Sequence, residues 1–145
     1  MNARQQKILD LIQSQRITTQ GELVSLLNEA GFDVTQATIS RDISALNLTK
    51  KPQGGGYVVA PRIVNEAQAR YAKLFKESVL TIKLAQNILV LKTMPGSAQA
   101  AGALLDSLNY PEILGSVAGD DTIIAVVDNE IKAKRVMETL RVLLL

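Results

Sequence analysis

Apolar residues fall at helical spacing through the first third of the chain. Within Arg4–Ser14, Ile8, Leu11 and Ile12 recur three and four residues apart, which predicts a first helix with one apolar stripe. Thr18 or Thr19 can cap a second helix. Thr19 and Glu22 make a capping-box pair ahead of Leu23, Val24, Leu26 and Leu27, and Gly31 is a stop. Thr35 can cap a third helix over Gln36–Leu46, whose expected inward face is Ala37, Ile39 or Ser40, Ile43 and Leu46. The pattern then shortens. Leu48–Lys51 and Tyr57–Ala60 read as extended segments joined across Gly54–Gly56, a glycine-turned hairpin. A helix, a helix-turn-helix and a hairpin, in that order, make a winged helix.

Pro61 closes the hairpin. The segment 63–78 reads as a loose, basic helix with a thin apolar seam at Ala67, Tyr71, Leu74 and Phe75, a linker or hinge. Beyond it the period changes. Leu80, Ile82 and Leu84 alternate, Ile88–Leu91 runs apolar, and a turn or bulge near Gln86–Asn87 separates the two parts. After Pro95–Gly96, Ser97 can cap a helix over Ala98–Leu108. Strands at Ile113–Ala118 and Thr122–Val127 and a helix at Glu130–Leu144 complete a β-α-β-β-α order. The expected organisation is a two-domain α/β chain: a winged helix over 1–62, a linker over 63–78 and a second domain over 79–145. The second domain's sheet, antiparallel or mixed, has helices on one side only. Its aliphatic open face needs a cover, and for about 65 residues self-association is the economical one.

Composition narrows the chemistry. The chain has 145 residues, 47% of them hydrophobic but only 3% aromatic, so its cores are aliphatic. With neither Cys nor His, it cannot use thiol, disulfide or imidazole chemistry, and only oxygen ligands remain for a metal. No apolar run reaches the roughly 18 residues of a membrane span, and the opening MNARQQKILD has no apolar signal core, so a cytoplasmic protein is expected. Net charge is +2, unevenly spread. Residues 1–60 carry six basic and five acidic groups, 61–84 five and two, and 85–145 five and seven. The basic excess lies in the first half and the connector that follows, which favours a nucleic-acid partner there and speaks against one in the C-terminal half.

Two groups of residues carry candidate chemistry. Gln36, Thr38, Ser40, Arg41 and Asp42 crowd the start of the third helix. Arg41 can offer a bidentate fork to a guanine and Gln36 an amide, while Asp42 is expected to orient Arg41 or a neighbour. Lys50, Lys51 and the glycine turn suit phosphate or minor-groove contact from the wing. An ordinary polar face for protein contacts is the plain alternative. The second group is Asp120–Asp121 in GSVAGDDTIIAVV, two acids at the mouth of a sheet. They should repel each other until a cation answers them, although a solvated Gly-Asp-Asp turn fits the same pattern. Gln99 and Asp106, seven apart, share a helix face, with Gly102 and Ala103 between them as a shallow groove; a solvated face is again the alternative.

With these segments in view, the chain resembles the bacterial arginine repressors. TQATISRDI at 35–43 with Leu46, VLKTMPGSAQAAGALLDSL at 90–108 and LGSVAGDDTI at 114–123 carry the likeness, which runs over essentially the whole chain. The resemblance implies a winged helix-turn-helix domain joined to an oligomerisation domain. It further implies homo-hexamers built as a dimer of trimers, with a trimer as the unliganded alternative. L-arginine would be the effector bound between trimers, and palindromic operators of arginine genes the DNA partner. It implies repression of biosynthesis, with activation of catabolism in some settings. Ser40 and Arg41 match the operator-contacting pair; Gln99 and Asp106 match holders of the ligand's amino-acid end. Ala118 matches a backbone contact and Asp120 and Asp121 the acidic pair. Ser116 stands where many members have threonine in a Gly-Thr-Ile run, keeping the hydroxyl. No catalytic residue, metal or cofactor is implied. A regulator that senses another ligand or none, an assembly protein without DNA binding, and a small Mg²⁺ enzyme using the acid pair are the alternatives. The last lacks a base, a nucleophile or a phosphate loop to accompany its acids.

Overall fold

Side-chain caps set where the N-terminal helices begin. In α1 (Ala3–Ser14) the Asn2 side chain accepts from the Gln5 N–H and the Gln5 side chain accepts from the Asn2 N–H, a complete capping box. In α2 (Gln20–Glu29) Thr19 Oγ1 accepts from the Glu22 N–H at 3.1 Å. In α3 (Gln36–Ala45) Thr35 takes the same role toward Thr38. The hairpin follows as two three-residue antiparallel strands, β1 (Leu48–Lys50) and β2 (Tyr57–Val59), with Thr49 opposite Val58. The computed structural model describes every residue, Met1–Leu145, and forms two compact units, Met1–Ala60 and Pro61–Leu145.

The first unit has one core of Ile8, Leu11, Ile17, Leu23, Leu27, Val34, Ile39 and Tyr57. One detail departs from expectation. The inward side of α3 is Ile39 and Asp42, with Ile43 and Leu46 packed beside them, whereas Ala37 and Ser40 are exposed. The periodicity could not place Asp42 inside because its partners lie on another helix.

The second unit begins with α4 (Glu66–Ser78), the segment expected to be a linker or hinge. Phe75 is fully buried in the core of this unit, and Gln68 Nε2 donates to the carbonyl of Ser107 at 2.8 Å. Four antiparallel strands follow: β3 (Val79–Ala85), β4 (Ile88–Thr93), β5 (Ile113–Ala118) and β6 (Thr122–Val127), in spatial order β3-β4-β6-β5. Two further helices are α5 (Ala98–Leu108) and α6 (Glu130–Arg141), the latter running into a 3₁₀ turn at Val142–Leu144 rather than continuing as α-helix. Leu89, Leu91, Ile123, Ala125 and Val127 point into one core with Phe75, Leu104, Leu105, Val136 and Leu140. The alternate positions line the other face of the sheet, where Val117 is 74% exposed and Ile124 and Val126 are open as well. The sheet is thus antiparallel and helix-covered on one side, while the other side is open, with Val90, Val117, Ile124 and Val126 as an apolar middle flanked by Lys83, Lys92 and Thr122. No helix is long and apolar enough to cross a membrane.

The start of α5 also differs from the sequence reading. Ser97 is itself in helical geometry and makes no side-chain cap. The Ala98 N–H donates instead to the carbonyl of Asp120 at 3.1 Å, and the Thr93 N–H donates to the carbonyl of Asp121 at 2.8 Å. The 120–121 turn therefore satisfies a donor at the α5 N-terminus and is tied to the end of β4.

Candidate functional site

The N-terminal half of α3 presents a polar edge. Gln36, Ser40 and Arg41 are exposed, and Thr38 is half-buried, its hydroxyl within 3.5 Å of Arg41 Nη2. Beneath that edge Asp42, only 3% exposed, is held from α1: Arg4 Nε donates to Oδ2 at 2.6 Å, Arg4 Nη2 to Oδ1 at 3.0 Å, and Gln5 Nε2 to Oδ1 at 3.1 Å. Of the two roles expected of Asp42, it takes that of holding a neighbour, and the neighbour is Arg4. These bonds, Arg4's first, hold the Asp42 carboxyl below the usual carboxylate range against the opposing effect of burial. The negative charge under the helix is thereby neutralised, and Arg41 is left facing outward.

The hairpin brings the wing residues together. Lys50 Nζ lies 5.5 Å from the centre of the Tyr57 ring, a cation–π contact that restrains an otherwise flexible ammonium. The glycine turn is crowded. A Cβ on Gly55 would come within 2.5 Å of Lys51 Cβ, and one on Gly56, whose φ is +83°, within 3.1 Å of the Ile17 carbonyl oxygen. Arg16 Nε donates to the Gly54 carbonyl at 2.7 Å and the Tyr57 N–H to the Ile17 carbonyl at 2.9 Å, which fixes the turn against the start of the helix-turn-helix. Arg16 thus lies against the turn of the hairpin that carries Lys50 and Lys51.

In the second unit the expected ligand residues divide. Asp106 and Ser116 line one open hollow of about 160 Å³ with Leu105, Asn109, Tyr110, Ile113 and Gly115. The Tyr110 hydroxyl is buried with no protein partner, and burial, with help from Glu112, pushes its pKa up to about 12. Gln99 is exposed on α5 next to the Ala98–Asp120 junction. Gly102, expected to form a groove with Ala103, is instead closed: a Cβ there would sit 3.4 Å from Ala118 Cβ, because β5 packs directly over it. Helix and strand stand at ordinary contact distance there, which leaves room for a methyl at Gly102 but no open groove.

Asp120 is exposed at the turn. Asp121 has company that the sequence reading lacked. Thr122 Oγ1 donates to its Oδ1 at 2.9 Å, Lys92 Nζ lies 3.5 Å from its Oδ2, and Lys92 also donates to Thr122 Oγ1 at 2.7 Å. The Thr122 bond first and the Lys92 charge next lower its pKa. The expectation of two unanswered, desolvated acids is therefore corrected. The Asp121 side chain is 50% exposed and already ion-paired within its own protomer. No local pattern could announce Lys92, since it meets Thr122 only through the register of β4 against β6. Arg4 and Arg16 escaped notice for the same reason, each reaching a partner 38 positions away.

Comparison with known proteins accounts for both units. Residues 1–61 match the family model of the arginine repressor DNA binding domain, and residues 75–142 match that of the arginine repressor C-terminal domain. Among similar proteins, the arginine repressor of Caldicellulosiruptor saccharolyticus is 46% identical over 144 residues, covering 97% of this chain and 95% of its own. That of Acetivibrio thermocellus is 46% identical over 142 residues, covering 96% and 93%. That of Carboxydothermus hydrogenoformans is 45% identical over 127 residues, covering 85% of each. The chain belongs to the arginine repressor family, and is a DNA-binding regulator rather than an enzyme.

Proposed function

We propose that this protein represses genes of arginine biosynthesis by binding palindromic operators as a hexamer, two trimers joined with L-arginine between them. The observation that carries the reading is the placing of Asp120 and Asp121 at an exposed corner where the open apolar face of the sheet ends. Val117, Ile124 and Val126 make that face unfavourable in water, so copies of the chain associate through it. Association brings a second copy toward the acidic corner. A guanidinium is planar and doubly donating, and a carboxylate pair answers it with charge-assisted, bidentate bonds that an ammonium cannot match. Gln99 and Asp106 on α5, with Ser116 and the Ala118 backbone on β5, supply the polar groups for the ligand's amino-acid end.

The ligand then acts by linkage. A molecule that contacts two copies binds only the assembled form, and so stabilises it by mass action. Assembly gathers several winged helices on one particle, which raises operator affinity through effective concentration. Ser40 and Arg41 read the operator from α3, with Gln36 and Thr38 beside them, and Lys50 and Lys51 add phosphate contacts from the wing.

Titration calorimetry with arginine, lysine, ornithine and citrulline tests the ligand. Arginine should bind and the others, which lack its charged planar fork, should bind at least tenfold more weakly. Asp121→Asn should weaken arginine binding without lowering the melting temperature. Equal affinities across the series, or an unchanged affinity in Asp121→Asn, would contradict the assignment.

A further inference from the structure

The carboxylate of Asp121 has both oxygens engaged before any ligand arrives. Oδ1 accepts from Thr122 Oγ1 at 2.9 Å, and Oδ2 faces the Lys92 ammonium at 3.5 Å. The backbone fixes this arrangement. Lys92 and Thr122 are register partners on β4 and β6, and the neighbouring Thr93 N–H donates to the carbonyl of Asp121 at 2.8 Å. The ammonium, donating to Thr122 Oγ1 at 2.7 Å, is thereby kept beside Asp121. A guanidinium needs the same two oxygens that the hydroxyl and the ammonium now hold. It also brings a second positive charge to a place that already has one.

We infer that Lys92 is an affinity-setting residue: it stands in for the ligand's cation on Asp121 and must give way when a guanidinium compound binds. The inference rests on the proposed reading of Asp121 as a ligand carboxylate. Its physical basis is that the pair is weak enough to break. Both side chains are about half exposed, the Lys92 side chain at 48% and the Asp121 side chain at 50%, so water and salt compete for them. The competition raises the ligand concentration at which assembly responds. Lys92 is a positioning and competing group and contributes no contact that the ligand gains.

The test is arginine calorimetry on the 145-residue chain with Lys92→Gln and Lys92→Arg. Lys92→Gln removes the competing charge and should tighten arginine binding about two- to fivefold, the range expected for an exposed ion pair. Lys92→Arg keeps the charge and should bind like the wild type or more weakly. Lys92 lies on an exposed strand position, so both variants should melt with the wild type. Unchanged or weaker binding in Lys92→Gln, with wild-type binding intact, would overturn the role of Lys92 and leave the proposed function standing. Equal tightening in both variants would also overturn it. Absence of arginine binding in the wild type would remove the proposed function, and this inference with it.

Discussion

Asp42 shows how a charged residue earns a buried place beneath a recognition surface. Its carboxylate accepts three hydrogen bonds from Arg4 and Gln5, which satisfy most of its acceptor capacity. Because its folded pKa lies below the unfolded value near 3.8, this contribution is fully present above that pH. It is lost as pH falls through the folded value. Melts of the full chain followed by circular dichroism should therefore show the N-terminal unit losing stability below about pH 4. Asp42→Asn should cost about 1–3 kcal/mol at pH 7 and flatten the acid limb. A variant that melted like the wild type at pH 7 would refute the clamp. Arg41, one residue earlier, belongs to the exposed edge. Arg41→Ala should weaken operator binding roughly ten- to a hundredfold in a gel shift while leaving arginine calorimetry unchanged. Retained operator binding would remove Arg41 from the interface. Phe75 is the residue that makes α4 part of the second unit. Phe75→Ala should cost about 3–5 kcal/mol, whereas a free hinge helix would tolerate it.

The elements were largely legible because each has a local cause. Thr19 and Thr35 cap where expected, the helix at 98–108 and the strands at 113–118 and 122–127 fall on their predicted residues, and the turn at Gln86–Asn87 splits two strands. What the pattern did not reveal was decided across the fold. A donor at the α5 N-terminus is satisfied by a carbonyl from the 120–121 turn, and Gly102 of α5 meets β5 instead of opening a groove. Two glycines separate local from tertiary demands. Gly56 combines φ of +83° with a backbone oxygen 3.1 Å from any added Cβ, so Gly56→Ala should destabilise the wing by about 1–3 kcal/mol. Gly102 sits in regular helix with its nearest neighbour at ordinary contact distance, so Gly102→Ala should hold or gain up to about 1 kcal/mol. Thermal melts that reversed this order would show that β5 and α5 are packed more tightly than the geometry indicates. The candidate site was legible as residue types. Asp120, Asp121, Asp106 and Ser116 were marked by spacing and resemblance, but Lys92 could emerge only once β4 lay beside β6.

At the scale of the whole molecule, the second unit is unfinished alone. Its sheet is covered by helices on one face and leaves Val117, Ile124 and Val126 in water on the other, with an acidic corner at the end of that face. The proposed function ties three events together: copies would cover the open face, arginine would answer the acidic corner between copies, and the assembled particle would grip DNA with several winged helices at once. Sedimentation velocity at micromolar protein, with and without L-arginine, tests this coupling directly on the wild type and on Asp121→Asn. Arginine should shift the wild type toward a six-chain particle, or hold six chains together on dilution, and should have little effect on Asp121→Asn. A wild type whose sedimentation ignores arginine, or an Asp121→Asn variant that responds to it fully, would contradict the central claim.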